Sequence, residues 1–371
     1  MRCLRPGGVR RRSCQALGGD TAAFCASLVD GLAHLESTLH PRDDVAGDVG
    51  AGGGAVSMRW CADAMRMVKR MQQELLAIFK KADVPVAGAV DSSYGGDDGN
   101  GGCWFEHYMQ ETAALLDFCN AFKSAVSRLH RYCMVVDLAA GASARGVIVP
   151  LAADNVAGDG AVIRDMMSDV MAAVSDAERL GRRIMSGGVA GAGDDDDDAG
   201  GMVVVMLVAK ITMAVVSMFV LRALTSPANS LVIVDGGGGR CTLAGVPVPE
   251  LQPWRESLTV ISDRFPRRPS VAEHERVAMV VKSMMVNAKL EQGGEEKARN
   301  NNGKQVKDED GEEEEDDEMV RQHVELLRTR SGELREGVEM FDCVLDEVFD
   351  EVIKGRNEML GIFRDKAFTM G

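Results

Sequence analysis

The sequence predicts an all-α protein, an elongated multi-helix bundle with long antiparallel amphipathic helices. Three observations predict this class. Apolar residues recur alternately three and four positions apart over long stretches, which places them on one face of a 3.6-residue helix. The composition is 46% apolar but only 5% aromatic, with 22 Met residues, which favours helix packing over a β-sandwich. The spacing is also heptad-like in the longest stretches, as in long helices packed side by side.

The first two predicted helices lie before residue 82. One begins after Asp20 and ends before Pro41, and a Gly-rich connection follows it. The next covers about 58–81 and stops before Pro85, because proline and the residue before it disfavour helix. Their apolar stripes are Phe24, Leu28, Leu32, Leu35 and Leu39, and then Cys61, Ala64, Val68, Met71, Leu75 and Ile78.

The clearest helix is predicted over 104–138, after a loop rich in Gly and Asp at 88–102. A helix of this length spans about 50 Å at 1.5 Å per residue. We therefore expect it to form the spine against which shorter helices pack. Its unbroken apolar stripe is Phe105, Tyr108, Thr112, Leu115, Cys119, Phe122, Val126, Leu129, Cys133 and Val136.

The most apolar segment of the chain is 202–221, which follows a predicted amphipathic helix at 161–185 and a Gly/Asp-rich loop at 187–201. It contains one charged residue, Lys210, near its centre. Its length permits a membrane span, but Lys210 offsets much of the insertion free energy that the apolar side chains supply. The alternative is a fully buried central helix in which Lys210 snorkels or pairs with a carboxylate. Both interpretations stay open at this point.

The C-terminal part is predicted to hold three more helices, after a short extended piece at 231–234. Pro253 opens the first, since proline is well placed just before or within a first helical turn, and the second covers 271–290. The third, 319–366, is expected to pack on the bundle. The apolar stripes of the first and third are Trp254, Leu258, Ile261 and Phe265, and then Leu334, Val338, Phe341, Leu345, Val348, Val352, Met359 and Phe363.

The predicted organisation is a disordered basic N-terminus (1–19), a helical bundle (20–290), an acidic linker (291–318) and the C-terminal helix. The linker is predicted to be disordered because it has too few apolar residues to offset its ordering entropy. The formal net charge of -15 argues against a nucleic-acid partner, whose phosphates would require an excess of Lys and Arg. The aspartate run at 194–198 and the acidic run at 308–318 lack the spaced ligands of a calcium loop and indicate solvated segments.

The cysteines show no C-x-x-C spacing, so they indicate reduced thiols in a reducing compartment rather than a disulfide framework or a metal site. The nine cysteines are Cys3, Cys14, Cys25, Cys61, Cys103, Cys119, Cys133, Cys241 and Cys343.

The motifs that would predict catalysis or cofactor binding are missing from the sequence. The glycines at 236–239 lack the Lys-Ser/Thr of a phosphate-binding loop, and the histidines form no zinc-binding pattern. Cys119 and His130 are three turns apart on one predicted helix, so they cannot meet there as nucleophile and base. Glu106 and Glu111 are carboxylates that could serve as acid and base, but nothing positions a substrate beside them. The sequence therefore predicts a protein that is not an enzyme, with no metal, cofactor or small-molecule substrate.

Several segments together resemble the plant BYPASS family, also described as ROH-like proteins. The resemblance covers about 24–363, and six sites occur in the family's order. They are Trp60, Ala64 and Met65; Val84-Pro85-Val86; Trp104 and Tyr108 leading into Leu115-Leu116-Asp117-Phe118-Cys119-Asn120-Ala121-Phe122; Lys210; Pro253-Trp254; and Gly355-Arg356. The Gly- and Asp-rich insertions depart from the family pattern.

The resemblance implies an all-helical, non-enzymatic plant protein linked to root and shoot development, with exocyst subunits as proposed partners for one branch. It carries over no catalytic residue. We therefore expect a regulatory or adaptor protein that acts through protein contacts. The alternative is a single-pass membrane-anchored protein of the same family with a signalling or trafficking role, in which 202–221 crosses the membrane. The expected location is accordingly membrane-associated or cytoplasmic.

Overall fold

A computed structural model of the chain describes residues 19–39, 54–81, 104–143, 197–225, 251–266, 269–300 and 312–369. These ranges contain seven helices and one pair of two-residue strands, which confirms the predicted all-α class. The helices are α1 (Gly19–Thr38), α2 (Met58–Lys81), α3 (Trp104–Ser143), α4 (Asp197–Thr225), α5 (Gln252–Arg264), α6 (Ala272–Asn300) and α7 (Glu312–Thr369). The strands are β1 (Ala55–Val56) and β2 (Ser270–Val271).

The long C-terminal helix α7 packs along α2, α3 and α6. It runs parallel to α2, because Lys69 Nζ lies 3.0 Å from Glu347 Oε2 and Lys80 pairs with Glu358 further along both helices. The sequence separation between partners is 278 residues in the first pair and also in the hydrogen bond from Gln73 to Glu351. A constant separation means that the two helices keep one register over several turns.

Helices α3 and α7 run antiparallel. Lys123 Nζ, in the middle of α3, lies 2.6 Å from Asp342 Oδ1. Asp137, later in α3, accepts a hydrogen bond of 2.9 Å from Ser331, which comes earlier in α7. The antiparallel arrangement predicted for the long helices therefore holds for α3 with α7. Helices α2 and α7 are instead a parallel pair.

Helix α1 lies antiparallel on α2. Ser27 Oγ donates to Glu74 Oε1 at 2.7 Å, and the Trp60 indole nitrogen donates to the Leu35 carbonyl oxygen at 2.9 Å. Helix α5 packs on α1, and the aromatic ring of Phe265, at the end of α5, contacts the Trp60 ring with centroids 5.5 Å apart. These contacts cover part of the surface of α2 that α7 leaves available.

Helix α4 occupies the interior between α1, α2 and α3. The stretch Val204–Thr225 contains an 18-residue window with a mean hydropathy of 2.4, and 94% of that window is buried within the protein. A helix that is apolar on all sides requires either such enclosure or a membrane. By length and composition alone, it is long and apolar enough to cross a membrane.

The short strands pair in parallel, with Ala55 opposite Ser270 and Val56 opposite Val271. This pairing brings the start of α6 to the start of α2, where Glu273 Oε2 accepts a hydrogen bond of 3.1 Å from the Met58 backbone nitrogen. The amides of a first helical turn have no intrahelical partner, and a carboxylate there also interacts favourably with the helix dipole. This strand pairing is not among the predictions from the sequence.

The predicted apolar stripes of α1, α2, α3, α5 and α7 are confirmed as core positions, since nearly all of their members are buried. Helix boundaries differ more. Helix α6 continues to Asn300 and α7 begins at Glu312, so most of the segment 291–318, predicted to be disordered, is helical. The Glu, Lys, Ala and Arg residues there have high helix propensity, and acidic residues stabilise the first turn of α7. Helix α4 likewise begins at Asp197, inside the predicted loop 187–201.

Four further predictions lie outside the described residues. They concern the helix at 161–185, the loop at 88–102, the extended piece at 231–234 and nearly all of the basic N-terminal segment 1–19.

Candidate functional site

Helix α3 carries three polar or polar-tipped side chains, Tyr108, Glu111 and Thr112, within little more than one turn, and all three are buried. Consecutive residues on a helix point about 100° apart, so Glu111 and Thr112 reach different neighbours. Glu111 contacts α4 and Thr112 contacts α7. We refer to these three residues, with Lys210 of α4 and Arg356 of α7, as the polar layer.

The first half of the polar layer is an ion pair between Lys210 and Glu111. Lys210 Nζ lies 2.6 Å from Glu111 Oε1, and the two side chains are 21% and 11% exposed. Removing an isolated charge from water is costly, so a buried Lys is stable mainly when a carboxylate is in contact with it. Pairing with a carboxylate is one of the alternatives that the sequence leaves open for Lys210.

The second half ties α3 to α7 through Arg356. The Arg356 guanidinium donates to the Met109 carbonyl oxygen at 2.6 Å and to Thr112 Oγ1 at 2.8 Å. The Thr112 hydroxyl in turn donates to the Tyr108 carbonyl oxygen at 2.7 Å. Hydrogen bonds in which one partner is charged are stronger than neutral ones, so this chain of contacts fixes the axial position of α7 on α3.

Gly355 lets the two helices approach at the same level. A Cβ atom at this position would overlap the Tyr108 hydroxyl oxygen, whereas its next neighbours are Leu76 Cδ2 at 3.6 Å and Tyr108 Cζ at 3.7 Å. The Tyr108 ring also packs against Phe79, with centroids 5.6 Å apart in an edge-on arrangement. Burial, and then the charge of Glu358, raise the pKa of Tyr108 to about 12, so the phenol is neutral at physiological pH.

The polar layer has the chemistry of a structural contact rather than of an acid and base pair. The carboxylate of Glu111 is held by a lysine rather than by a second carboxylate. Burial raises the pKa of the Cys119 thiol to about 12, which keeps it in the unreactive thiol form. Across the described ranges, no group of three or more His, Cys, Asp or Glu residues could hold a metal ion.

The tryptophans highlighted by the sequence also serve packing. Trp60 donates to the Leu35 carbonyl, as described above, and the Trp254 indole nitrogen donates to Thr212 Oγ1 of α4 at 2.9 Å. Trp60 and Trp254 are both fully buried, and a buried indole N–H needs such an acceptor. Of the residues that carry the family resemblance, Val84-Pro85-Val86 lies outside the described residues, as does the side chain of Trp104.

A different part of α3 is exposed and apolar. Near the end of this helix Met134, Val135 and Leu138 are 70%, 49% and 68% exposed, and we refer to them as the α3 terminal patch. Met134 and Leu138 are one turn apart, so they lie on the same face. This patch is not among the predictions from the sequence, although the sequence contains its signal. These apolar residues fall between the stripe positions Cys133 and Val136 or beyond them.

The fold and the polar layer define an all-α protein whose buried polar residues join helices, with apolar side chains exposed at one end of α3. No protein-family model, curated protein or solved structure matches this chain.

Proposed function

We propose that this chain is a non-enzymatic regulatory or adaptor protein of plant development, related to the BYPASS family, that acts through protein contacts. The proposal is supported by the positions of the family-like residues. Tyr108, Lys210, Gly355 and Arg356 are far apart in sequence and meet in the polar layer or beside it. An architecture shared with the family would explain why these residues occur together in one chain.

The observation that carries the adaptor function is the α3 terminal patch. Exposed apolar side chains grouped on one face mark sites of protein binding more often than isolated ones do. Methionine adds adaptability, because its unbranched side chain can repack against different partners. The expected partner presents an amphipathic helix whose apolar stripe covers Met134 and Leu138, and exocyst subunits are the partners we propose to test first.

The test measures binding of the purified full chain to individual purified exocyst subunits. We expect one subunit to bind, and the double substitution Met134→Glu, Leu138→Glu to weaken that binding by at least about 10-fold, as for loss of central apolar contacts. Leu360→Glu is the matched control, because Leu360 is also an exposed apolar residue, 46% exposed, but lies near the end of α7. Equal binding by the double variant and the wild type, or no binding by any subunit, would contradict the proposal.

The second candidate function is that of a single-pass membrane-anchored protein. It is favoured by one observation, the length and hydropathy of Val204–Thr225. Its test is carbonate extraction of membranes from plant cells that express the full chain. Complete release into the soluble fraction would exclude an integral membrane protein.

A further inference from the structure

Helix α4 has the composition of a membrane span and the position of a core helix. Its stretch Val204–Thr225 meets the length and hydropathy of a span, yet 94% of its most apolar window is buried against the rest of the protein. The apolar side chains are therefore compatible with both environments, since both remove them from water. Which environment α4 occupies depends on its few polar side chains.

Two of these polar side chains make contacts that exist only inside the bundle. Lys210 pairs with Glu111 of α3 at 2.6 Å. The Thr212 hydroxyl accepts a hydrogen bond from Trp254 of α5 at 2.9 Å. We refer to these two contacts as the α4 latch. If α4 crossed a bilayer, Glu111 and Trp254 would stay behind on other helices, and Lys210 would lie within the hydrocarbon without its carboxylate.

We propose that α4 is a sequestered membrane anchor, which the α4 latch holds inside the bundle and which inserts into a lipid bilayer when the latch is broken. This proposal rests on the membrane-anchored candidate function and adds the device that would regulate it. Inside the bundle Lys210 is compensated by Glu111, whereas in the bilayer it opposes insertion. The apolar side chains of α4 suit both the bundle and the bilayer, and the α4 latch favours the bundle.

The helices that enclose α4 provide a structural route for its release. Helices α1, α2 and α3 each pack against α4 and have apolar residues buried in the same core. Departure of α4 would expose these apolar residues to water. Amphipathic helices of this kind can instead lie in the membrane interface with their apolar faces toward the lipid. The bilayer would therefore cover both the released helix and the faces it leaves.

The experiment uses the purified full chain with phosphatidylcholine vesicles, which carry no net charge to repel an acidic protein. Membrane-bound protein is separated by flotation and treated with carbonate, and protease-protected peptides are identified by mass. Glu111→Gln breaks the ion pair of the α4 latch and leaves Lys210 buried without its carboxylate. Lys210→Met breaks the same pair and removes the central charge that opposes insertion, while Arg222 stays near the end of the stretch. The matched control is Lys123→Met, because Lys123 also forms an ion pair on α3, with Asp342 of α7 rather than with α4.

We expect the wild type to float weakly and each latch variant to partition into vesicles at least about 100-fold more strongly, with the stretch 204–225 protected. That factor corresponds to ~3 kcal/mol at about 1.4 kcal/mol per tenfold, the size of a broken buried ion pair or of a central lysine in a membrane span. The Lys123→Met protein should float like the wild type. Helix content measured without vesicles identifies any variant that has simply unfolded. If Glu111→Gln does not fold, the partitioning of Lys210→Met tests the proposal.

Three results would overturn the proposal. All proteins could remain soluble, or the latch variants could bind with a stretch other than 204–225 protected. Alternatively, wild type and variants could all resist carbonate equally, which would show a constitutive anchor without a latch and would leave the membrane-anchored function intact. The adaptor function is read separately, because binding of exocyst subunits is measured without vesicles.

Discussion

Gly355 gives the sharpest test of how α7 is held against α3. A Cβ atom at Gly355 would overlap the Tyr108 hydroxyl oxygen, while the other nearest atoms lie at ordinary contact distances of 3.6 and 3.7 Å. The ring cannot easily move aside because Phe79 packs against it with centroids 5.6 Å apart. Gly355→Ala should therefore destabilise the protein, and removal of the single hydroxyl by Tyr108→Phe should relieve the overlap.

The expected magnitudes follow from two opposing terms. Forcing one extra carbon into a packed site costs about 1–3 kcal/mol, and the overlap with the Tyr108 oxygen places this site in the upper part of that range, at about 2–3 kcal/mol. Replacing glycine by alanine inside a helix contributes about 1 kcal/mol of stability. Gly355→Ala should thus lower the free energy of unfolding by about 1–2 kcal/mol in the wild type. In a Tyr108→Phe background the first term disappears, so the same change should raise the free energy of unfolding by ~1 kcal/mol, a coupling of about 2–3 kcal/mol.

The assay is urea unfolding at pH 7 followed by far-ultraviolet circular dichroism, for the wild type, both single variants and the double variant. Gly332→Ala is the matched control, since Gly332 lies in the same helix and a Cβ there meets no atom within 4 Å. It should be stabilising by about 0.5–1 kcal/mol. If Gly355→Ala has the same effect in both backgrounds, the hydroxyl is not the obstacle, and the close approach does not explain the glycine.

Three further predictions use the same unfolding assay. Arg356→Met should lower the free energy of unfolding by about 2–3 kcal/mol because two charge-assisted hydrogen bonds to α3 are lost. Arg364→Met is the control at an exposed position of α7 and should change the free energy of unfolding by less than about 0.5 kcal/mol. Equal effects of the two substitutions would contradict the role of Arg356 in holding α7 on α3. Trp254→Phe should cost about 1–3 kcal/mol, since it leaves the hydroxyl of Thr212 without its donor, and no loss would contradict the contact. Burial lowers the pKa of His274, so the unfolded chain binds a proton at this residue more readily than the folded protein does. The free energy of unfolding should therefore decrease as the pH is lowered below about 6.5. His274→Gln should reduce this decrease between pH 7 and 5, and an unchanged pH profile would exclude His274 as its source.

The amphipathic helices could be predicted from sequence because burial along a helix is periodic. In α3 the predicted stripe of ten positions is buried except for Phe105, which is partly buried against the core. Each helix carries this information within its own sequence, so no knowledge of its neighbours is needed. The helix ends were less predictable, since a packed helix can continue into residues such as those after Leu290 without any apolar stripe.

The contacts between helices could not be predicted in the same way. The pattern around Lys210 indicates a buried or membrane-spanning helix, but it contains nothing that selects Glu111 as partner among the many carboxylates of the chain. The sequence distinguishes Glu111 only as a carboxylate that could act in acid–base chemistry. The pairing of Ala55 with Ser270 is similar, because two residues form too short a strand to leave a periodic signal.

The polar layer and the α3 terminal patch lie at different levels of the same helix. Glu111 and Thr112 are consecutive, so one helical turn sets the position of α4 through Lys210 and of α7 through Arg356. Leu138 is about 39 Å further along the helix at 1.5 Å per residue. The polar layer and the α3 terminal patch are therefore separated on the same helix, although Asp137, beside Leu138, also contacts α7. Substitutions in the α3 terminal patch should change binding with little effect on the free energy of unfolding, whereas Arg356→Met should do the reverse.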